Sequence, residues 1–147
     1  MANKNFYFPK SRIMAGLQCP KRLWLEVNPP EEEMPQDEGR EFFLNQGHMV
    51  GQVARELYPE GILLEFDEGL SRALVETEKL LKEGIKVPLF EATFKHENVL
   101  VQVDLLFPEE NGFRMVEAKA ATEVREYHIY DCAVQAWVIE NAGYPIK

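Results

Sequence analysis

Three residues near the middle of the chain have the types and spacing of a hydrolytic metal site. Asp104 lies in one apolar, strand-like run, and Glu117 and Lys119 lie two residues apart in the next. Residues two apart in a strand share a face, so Glu117 and Lys119 point the same way. If these runs form an antiparallel hairpin in which Phe107 pairs with Arg114, Asp104 lies opposite Glu117. Opposed residues are roughly 4.5–5.5 Å apart at Cβ, so two carboxylates and an amine converge on one patch.

That patch fits the metal-assisted hydrolysis of a phosphodiester bond. Carboxylate oxygens suit Mg²⁺, and a divalent cation activates water and neutralises charge on a phosphate. We expect Lys119 to orient or deprotonate the water, or to stabilise the charge that develops on the phosphate. The alternative is a salt-bridge ladder on an exposed hairpin face. The flanking residues are too apolar for a simple exposed ladder, which favours the catalytic interpretation.

Glu91 is a second-tier candidate metal ligand on the preceding strand-like run. If Phe94 pairs with Val99 across a short turn, Glu91 lies opposite Gln102. This register places Glu91 on the same face as the patch, and it is less firmly specified than the register of the following hairpin.

Two further polar residues lie in segments with helical periodicity. His48 follows Gly47 and is a candidate metal ligand, although a lone histidine is equally well explained as a partly exposed residue. Gln135 lies among apolar residues of the last helical segment, near one face with Tyr127 and Asp131. A buried amide needs a partner. For Gln135 the partner is either the carboxylate patch, a phosphate or a backbone carbonyl.

The elements that must position these residues follow from periodicity and turn signals. Spacings of three, four and seven between apolar residues predict helices, whereas apolar runs bounded by turn-forming residues predict strands. The predicted helices are two short ones near Ser11 and Pro20 and longer ones over Asp37–Tyr58, Ser71–Glu83 and Thr122–Gly143, and the predicted strands are Ile62–Phe66, Val87–Phe94, Val99–Phe107 and Phe113–Ala120. This order predicts an α/β or α+β fold with a mainly antiparallel centre.

Length and composition favour one globular domain. The chain has 147 residues, 46% of them hydrophobic, and no apolar run of the roughly 18 residues that a bilayer requires. The N-terminus lacks the features of a signal peptide, so we expect a cytoplasmic protein without membrane contact. Two cysteines, Cys19 and Cys132, cannot form a four-cysteine metal site alone.

The charge distribution restricts the kind of nucleic-acid binding that is expected. The net charge of −9 argues against a protein that coats phosphates generally, but it is compatible with a nuclease that gathers carboxylates around a metal. The first 22 residues are basic, through Lys4, Lys10, Arg12, Lys21 and Arg22. This segment is either an N-terminal surface that contacts DNA or an ordinary solvated face.

Together these residues resemble the PD-(D/E)XK nuclease superfamily and, within it, the RecB-like exonuclease branch. The matches are Gly47-His48, Val103-Asp104, Glu117-Ala-Lys119 and Gln135, in the family's order and over roughly residues 11 to 145. The segment from Cys19 to Leu25 also resembles the start of CRISPR-associated and helicase-associated relatives that carry a four-cysteine iron–sulphur cluster. The other three cysteines of that cluster are absent. Ile139 stands where the family's tyrosine usually follows the glutamine.

The resemblance implies a restriction-endonuclease-like core, with a central mixed and mainly antiparallel sheet flanked by helices, in a single domain over residues 1–147. It implies a Mg²⁺- or Mn²⁺-dependent deoxyribonuclease, exonuclease-like on DNA ends or single strands, and no iron–sulphur cluster from this chain alone. The implied metal ligands are His48, Asp104, Glu117 and the backbone carbonyl of Ala118, with Lys119 as the catalytic amine and Gln135 beside it. A helicase, repair or CRISPR-type partner is implied in the same way.

Two other functions are compatible with the sequence. The first is a nuclease-fold module that binds nucleic acid or a partner protein without turnover, which the missing tyrosine and the acidic charge favour. The second is a structural domain, which predicts Glu117 and Lys119 on an open surface far from His48. By the same resemblance, a nuclease domain of this kind normally adds another strand after the segment that here runs from Gly143 to Lys147. The chain is therefore expected to be either a compact variant or the N-terminal part of a longer protein.

Overall fold

The computed structural model describes residues 7–29, 38–64 and 69–147, and the side chains of residues 38–44 lie outside that description. In chain order the elements are β1 (Phe8–Pro9), α1 (Lys10–Gln18), α2 (Pro20–Val27), α3 (Glu38–Glu56), β2 (Ile62–Leu63), α4 (Leu70–Lys82), β3 (Leu89–His96), β4 (Val99–Glu109), β5 (Gly112–Val116) and α5 (Glu126–Asn141). The predicted helix start at Asp37 and the predicted strand end at Phe66 fall outside the described residues, as does Lys4.

One mixed sheet of five strands forms the centre of the fold. Its order is β1-β4-β3-β2, and β5 also pairs with β4. The two long pairings, β3 with β4 and β4 with β5, are antiparallel. β1 and β2 pair in parallel with β4 and β3, through two residues each. The fold is therefore α/β, with a mixed, mainly antiparallel sheet and, within the described ranges, five helices around it, as predicted at this level.

Two strands share one edge of β4. A strand has two hydrogen-bonding edges, and β3 occupies one of them from Val99 to Leu106. β1 and β5 must therefore both lie on the other edge. β1 pairs with Val99 and Leu100, while β5 pairs with residues 105–109. The two strands approach from opposite ends of β4 and leave a gap beside residues 101–104, which we call the fork.

The β4–β5 hairpin has the register that the sequence predicts. Phe107 pairs with Arg114, and the ladder continues to the turn at Gly112. Gly112 has φ of +148°, and a Cβ there would lie 2.6 Å from a carbonyl oxygen of the C-terminal segment. Glycine alone avoids that clash. Regular pairing ends one residue before Asp104 and Glu117, so these two residues flank the fork.

The β3–β4 hairpin differs from the prediction by two residues. His96 pairs with Val99, where the prediction paired Phe94 with Val99. The turn is the two-residue loop Glu97–Asn98, and Glu97 has φ of +50°, which tight hairpin loops require. Because side chains alternate between the two faces with a period of two, a shift of two residues changes the partner of each residue but not the face on which it is predicted to lie.

The last helix begins later than predicted. Thr122 was the expected start, but α5 begins after Arg125, whose backbone N–H donates to Nδ1 of the buried His128. The predicted last strand also ends early, so residues 117–125 form a loop between β5 and α5 instead of a strand end at Ala120. No helix in the described part of the chain has the length and apolar character needed to cross a membrane.

The main apolar core lies between the sheet and helices α4 and α5. Its buried residues come mostly from these elements and are Leu64, Leu81, Leu89, Ala92, Phe94, Val101, Val103, Leu106, Val138 and Ile139. A smaller cluster of Phe90, Leu105 and Phe107 packs with Ala54 and Tyr58 at the end of α3. The sheet is therefore covered by apolar contacts on both faces, and the residues at the fork are the polar interruption between them.

Candidate active site

Asp104 lies at the fork, where neither β1 nor β5 covers the edge of β4. β5 ends at Val116, and the chain then leaves the sheet. The backbone N–H of Ala118 donates to Oδ2 of Asp104 at 2.7 Å. The departing loop is thus bound to a carboxylate instead of to the β4 backbone. This geometry leaves Asp104 half-buried at the edge of the sheet.

Glu117 and Lys119 lie on that loop and bind each other. The Nζ of Lys119 donates to Oε1 of Glu117 at 2.6 Å and to Oδ2 of Asp131, on α5, at 2.6 Å. The side chain of Glu117 is only 6% exposed. The structure therefore brings Asp104, Glu117 and Lys119 together, and it encloses the side chain of Glu117, although that of Lys119 stays one-third exposed.

A second lysine, Lys10, reaches the same carboxylates from the other side of the fork. Lys10 directly follows β1 and begins α1. Its Nζ lies 3.0 Å from Oε1 of Glu117 and 2.7 Å from Oδ1 of Asp131. Lys10 and Lys119 therefore alternate with Glu117 and Asp131 in a closed ring of four charged groups. We call this arrangement the charge ring.

Gln135 is fully buried on α5 and binds both carboxylates of the charge ring. Its Nε2 donates to Oε2 of Glu117 at 2.8 Å and, more weakly, to Oδ1 of Asp131 at 3.4 Å. Ionised carboxylates only accept hydrogen bonds, so the amide must turn its N–H groups toward them. Its Oε1 has no hydrogen-bond partner among the described residues. Of the partners predicted for Gln135, the structure has the carboxylate patch.

Two members of the charge ring have stabilised ionised forms. Burial opposes the charge of Lys119, but hydrogen bonds to Asp131 and Glu117 outweigh it and raise the pKa of Lys119. Burial also disfavours the charge of Asp131, but hydrogen bonds from Lys10 and Lys119 outweigh it and lower the pKa of Asp131. Lys119 therefore keeps its proton at neutral pH, and Asp131 keeps its negative charge.

Glu91 faces Asp104 from the neighbouring strand β3. The observed register places Glu91 opposite Asp104, which corrects the predicted pairing of Glu91 with Gln102. These two positions are skipped within an otherwise continuous ladder. Glu91 has φ of +58°, a conformation that costs a non-glycine residue on the order of 1–3 kcal/mol. Strain of this kind often accompanies functional sites.

The alternation of side chains along β3 and β4 reverses at the same point. Leu89 and Ala92 are three residues apart, yet both face the main core, and the same holds for Val103 and Leu106. In a regular strand, residues two apart share a face and residues three apart do not. The positive φ of Glu91 accounts for this reversal on β3. At Glu91 itself the regular alternation of side chains between the two faces of the sheet is interrupted.

Glu91 and Asp104 form a second pair of carboxylates that lacks the cations of the charge ring. Burial, and then the charge of Asp104, raise the pKa of Glu91, although Nη1 of Arg55 on α3 lies 3.5 Å from its Oε1. Burial, and then the charge of Glu117, raise the pKa of Asp104 against the Ala118 hydrogen bond. The ionised forms of both residues are therefore disfavoured, unlike that of Asp131.

Among the side chains that the structure describes, the cluster has less positive than negative charge. It has four carboxylates, from Glu91, Asp104, Glu117 and Asp131, and three cations, from Lys10, Arg55 and Lys119. One negative charge remains unbalanced when all seven groups are ionised. A divalent cation would reverse the sign of the cluster, which would then attract a phosphate group.

The donor chemistry of this cluster fits a hard divalent cation such as Mg²⁺ or Mn²⁺. Such ions take oxygen ligands, which Glu91, Asp104, Glu117 and the carbonyl of Ala118 can supply. Burial, and then the charge of a neighbouring carboxylate, raise the pKa values of Glu91 and Asp104, and a bound cation would relieve the second of these effects. Within residues 7–29, 38–64 and 69–147, no three acidic, histidine or cysteine side chains are already arranged as a ligand cage. Binding would therefore require side-chain rotations.

His48 is not brought to this cluster. It is exposed on α3, and in the described part of the chain it belongs to no group of metal-ligating side chains. Arg55, seven residues later on the same face of α3, is the residue that reaches Glu91. Seven helical residues span about 10 Å, which separates His48 from the point of contact.

A cleft of about 570 Å³ opens beside the charge ring, between α1, α2 and the start of α5. Met14 lies one turn after Lys10 on α1, and Tyr127 lies one turn before Asp131 on α5, so both helices contribute residues to the ring and, one turn away, to the cleft. Its lining combines apolar, aromatic and basic side chains: Met14, Leu17, Gln18, Arg22, Arg125, Glu126, Tyr127 and Tyr130. Both tyrosines are about half exposed.

No family model, curated protein or solved structure matches this chain. The functional interpretation of the cluster accordingly depends on its geometry, its charges and the residue types that compose it.

Sequence reasoning did not identify Lys10 and Asp131 as site residues. Asp131 precedes the buried Gln135 by one helical turn, so a second polar residue on that face was an available signal. Lys10 carries no comparable signal, because it is one of several basic residues near the N-terminus. Only the pairing of β1 with β4 brings it to the fork.

Proposed function

We propose that this protein is a Mg²⁺- or Mn²⁺-dependent nuclease that hydrolyses phosphodiester bonds of DNA, acting on ends or single strands. The observation that carries the proposal is the pairing of two unlike carboxylate sets at the fork. Glu91 and Asp104 are partly buried carboxylates with raised pKa values and only the Arg55 guanidinium in direct contact, at 3.5 Å from Glu91, among the described residues. The adjacent Lys119 is held in its charged form by Glu117 and Asp131. Phosphodiester hydrolysis needs a cation that activates water and a positive group that stabilises the charge developing on the phosphate, and the two carboxylate sets would provide for both.

The proposed cation ligands are Asp104 and Glu91, with Glu117 and the carbonyl of Ala118 completing the set. A divalent cation bound there would neutralise phosphate charge and activate the attacking water. The chain's own contribution is to hold these oxygens in place. Ala118 does so for Asp104 through its N–H at 2.7 Å, and Gln135 does so for Glu117 at 2.8 Å.

Lys119 is proposed to act as a fixed positive charge, not as a base. Its raised pKa means that it holds its proton through the pH range in which a general base would have to release it. A third of its side chain is exposed, so the ammonium can donate to a phosphate oxygen that approaches from solvent. Negative charge that develops on that phosphate in the transition state is then stabilised.

The strand that flanks the scissile bond is proposed to lie in the cleft between α1 and α5. Exposed aromatic rings stack on unpaired bases, and arginines meet the phosphates between them. Tyr127 and Tyr130 supply the rings, and Arg22 and Arg125 supply the guanidinium groups. The arginines pair with acidic neighbours on their own segments, which are weak surface contacts that a phosphate can displace.

A binding module without turnover is the second candidate, and one observation favours it. Both oxygens of Glu117 are already bound, Oε1 by two lysines and Oε2 by Gln135. If Glu117 stays in the charge ring, the cation has fewer ligands and the site binds nucleic acid without cleaving it. The DNA cleavage experiment described next separates the two candidates.

The test is cleavage of a labelled single-stranded DNA by the full chain with Mn²⁺. We expect cleavage by the wild type and a loss of at least about 100-fold in Lys119→Ala, because a preorganised charge at the phosphate is removed. Lys82→Ala is the matched control, since Lys82 is an exposed lysine on α4 that pairs only with Glu78 in the described residues. Its activity should equal that of the wild type.

Two results would count against the proposal. Unchanged cleavage in Asp104→Ala would remove Asp104 from the site. Binding of the DNA by the wild type without any cleavage, in Mn²⁺ or Mg²⁺, would favour the module without turnover.

A further inference from the structure

We propose that Lys10 is a positioning residue of the candidate active site, which acts through Glu117 and Asp131 to hold Lys119 at the fork. The inference rests on the proposed function for its enzymatic readout. It concerns a residue for which neither the motif spacing nor the family resemblance gives a role.

The first support is the geometry of the charge ring. Oε1 of Glu117 receives two ammonium groups, Lys10 at 3.0 Å and Lys119 at 2.6 Å. Asp131 receives the same two groups, but on separate oxygens, at 2.7 Å and 2.6 Å. Asp131 therefore sets the spacing between the lysines, and Lys10 takes up carboxylate charge that would otherwise act on Lys119 alone.

The second support is the way in which the fold anchors Lys10. β1 fixes the chain just before it, because Phe8 pairs with Val99 and its N–H donates to the carbonyl of Asn98 at 2.7 Å. The side chain of Lys10 is 20% exposed, against 33% for Lys119. Lys10 is thus the more enclosed of the two lysines, and Lys119 is the one that solvent and substrate reach more readily.

The third support is the energetics of partly buried ion pairs. Removing charges from water is costly, and replacing such a pair with apolar side chains is often neutral for stability. Stability alone therefore gives a weak reason for placing two lysines on one carboxylate oxygen. Control of the position of Lys119 gives a stronger one.

This role predicts that the loss of Lys10 moves two properties in opposite directions. Without Lys10, the negative charge of Glu117 and Asp131 acts on Lys119 alone and draws it inward, away from a phosphate. The cluster also gains one unit of net negative charge, and Glu117 loses a competitor for its Oε1. Turnover should therefore fall while the affinity for a divalent cation rises.

The experiment compares Lys10→Met, Lys10→Arg and the control Lys82→Met in the full chain. It measures Mn²⁺ affinity by calorimetry, kcat and KM on a single-stranded oligonucleotide, and the melting temperature. For Lys10→Met we expect Mn²⁺ to bind about 3-fold or more tightly, from the extra charge at short range. We expect kcat to fall at least about 10-fold with KM changed less than about 3-fold.

Lys10→Arg provides the conservative rescue. Arginine keeps the positive charge but not the compact shape of the ammonium. Mn²⁺ affinity should therefore return to the wild-type value, while kcat recovers only in part. The control Lys82→Met should leave all these quantities unchanged.

Three results would contradict the proposed role of Lys10. If Lys10→Met lowers Mn²⁺ affinity, kcat and the melting temperature together, Lys10 is a structural residue and the proposal is wrong. If kcat does not fall, the proposal is also wrong. If the wild type neither binds Mn²⁺ nor cleaves DNA, the proposed function fails first and the positioning role fails with it. That result is distinct from a working wild type with an indifferent Lys10.

Discussion

Two pairs of carboxylates lie side by side at the fork, and their surroundings differ. Glu117 and Asp131 share two lysines and a buried amide, and the pKa of Asp131 is lowered. Glu91 and Asp104 have one arginine at 3.5 Å and one backbone N–H, and their pKa values are raised. The charge of Asp131 is thus stabilised in the first pair, whereas the charges of Glu91 and Asp104 are destabilised in the second.

In the proposed nuclease, this difference separates two tasks that the site has to combine. A pair saturated with ammonium groups fixes the position of Lys119. In the pair with a single arginine contact, burial and then neighbouring carboxylates disfavour the ionised forms, and a bound cation would relieve the second of these effects. The strained backbone at Glu91 belongs to the second pair, where stability is lowered in favour of the arrangement of carboxylates.

The largest expected effect concerns cation binding by the second pair. In Asp104→Asn, cleavage should fall by at least about 100-fold, because a proposed ligand charge is lost. Mn²⁺ at 100 times its dissociation constant stabilises a protein by about 2.7 kcal/mol, and this gain should disappear in Asp104→Asn. Thermal unfolding with and without Mn²⁺ measures it.

The matched control is Glu78→Gln, which changes an exposed carboxylate on α4. It should keep the full stabilisation by Mn²⁺. If Asp104→Asn is stabilised by Mn²⁺ as much as the wild type is, the second pair is not the cation site and the comparison loses its functional meaning.

The next effect concerns the first pair and should lower stability without any added cation. Asp131→Asn leaves Lys10 and Lys119 facing each other with one carboxylate between them. We expect the free energy of unfolding to fall by about 1–3 kcal/mol, the range for hydrogen bonds to charged groups. Chemical denaturation at pH 7 measures this change. A variant as stable as the wild type would show that the charge ring contributes nothing to the fold.

The cleft tests which side of the cluster the strand approaches. Tyr127→Ala and Tyr130→Ala should each weaken binding of a single-stranded oligonucleotide by about 1–3 kcal/mol if a base stacks on the ring. Fluorescence anisotropy in EDTA measures binding without cleavage. Tyr127→Phe and Tyr130→Phe keep the ring and should bind as the wild type does. Equal losses in the alanine and phenylalanine variants would mean that stacking is not the interaction.

The smallest effect is a gain in stability from Glu91→Gln. Because the folded state raises the pKa of Glu91, its protonated form is the favoured one, and that stability is lost as pH rises through the folded pKa. The variant should therefore match the wild type below about pH 4, the ordinary range of a glutamate. Above the raised pKa it should melt higher, by about 2–4 °C if the gain is about 1 kcal/mol.

Melting curves of both proteins from pH 3 to pH 8 provide the measurement. A gain that is equally large at pH 3 would point to packing or hydrogen bonding of the amide instead of charge. A Glu91→Gln variant that melts below the wild type at pH 7 would show that the contact with Arg55 outweighs the repulsion from Asp104.

The sequence predicted local features of the site more accurately than distant ones. The β4–β5 register, with Phe107 opposite Arg114, follows from alternation and turn length over about a dozen residues, and it is confirmed. The predicted β3–β4 register was wrong by two residues, because the strands continue to the pair His96–Val99 and end in a tight turn. That turn needs a positive φ at Glu97, a non-glycine residue that gives little warning of it.

Residues brought in by helices and distant strands were predicted less well. Gln135 binds the carboxylates, which were one of the partners predicted for it, because a buried amide needs a hydrogen-bond acceptor. His48 did not reach the cluster, since helical periodicity fixes which face a residue occupies and not how far along the helix the contact falls. Arg55 occupies that contact.

The sequence by itself determined the β4–β5 register that brings Asp104 and Glu117 to the same end of the hairpin, because strand alternation and turn length act over short separations. The loop after Val116, bound to Asp104 through the Ala118 N–H, then sets the positions of Glu117 and Lys119. Tertiary structure alone decided that Lys10 joins them, from 107 residues away, through a two-residue strand that shares an edge of β4 with β5. The docking of α5 likewise decided that Asp131 separates the two lysines. Such contacts depend on which edges and faces meet in the folded chain, and no local pattern of residues specifies that choice.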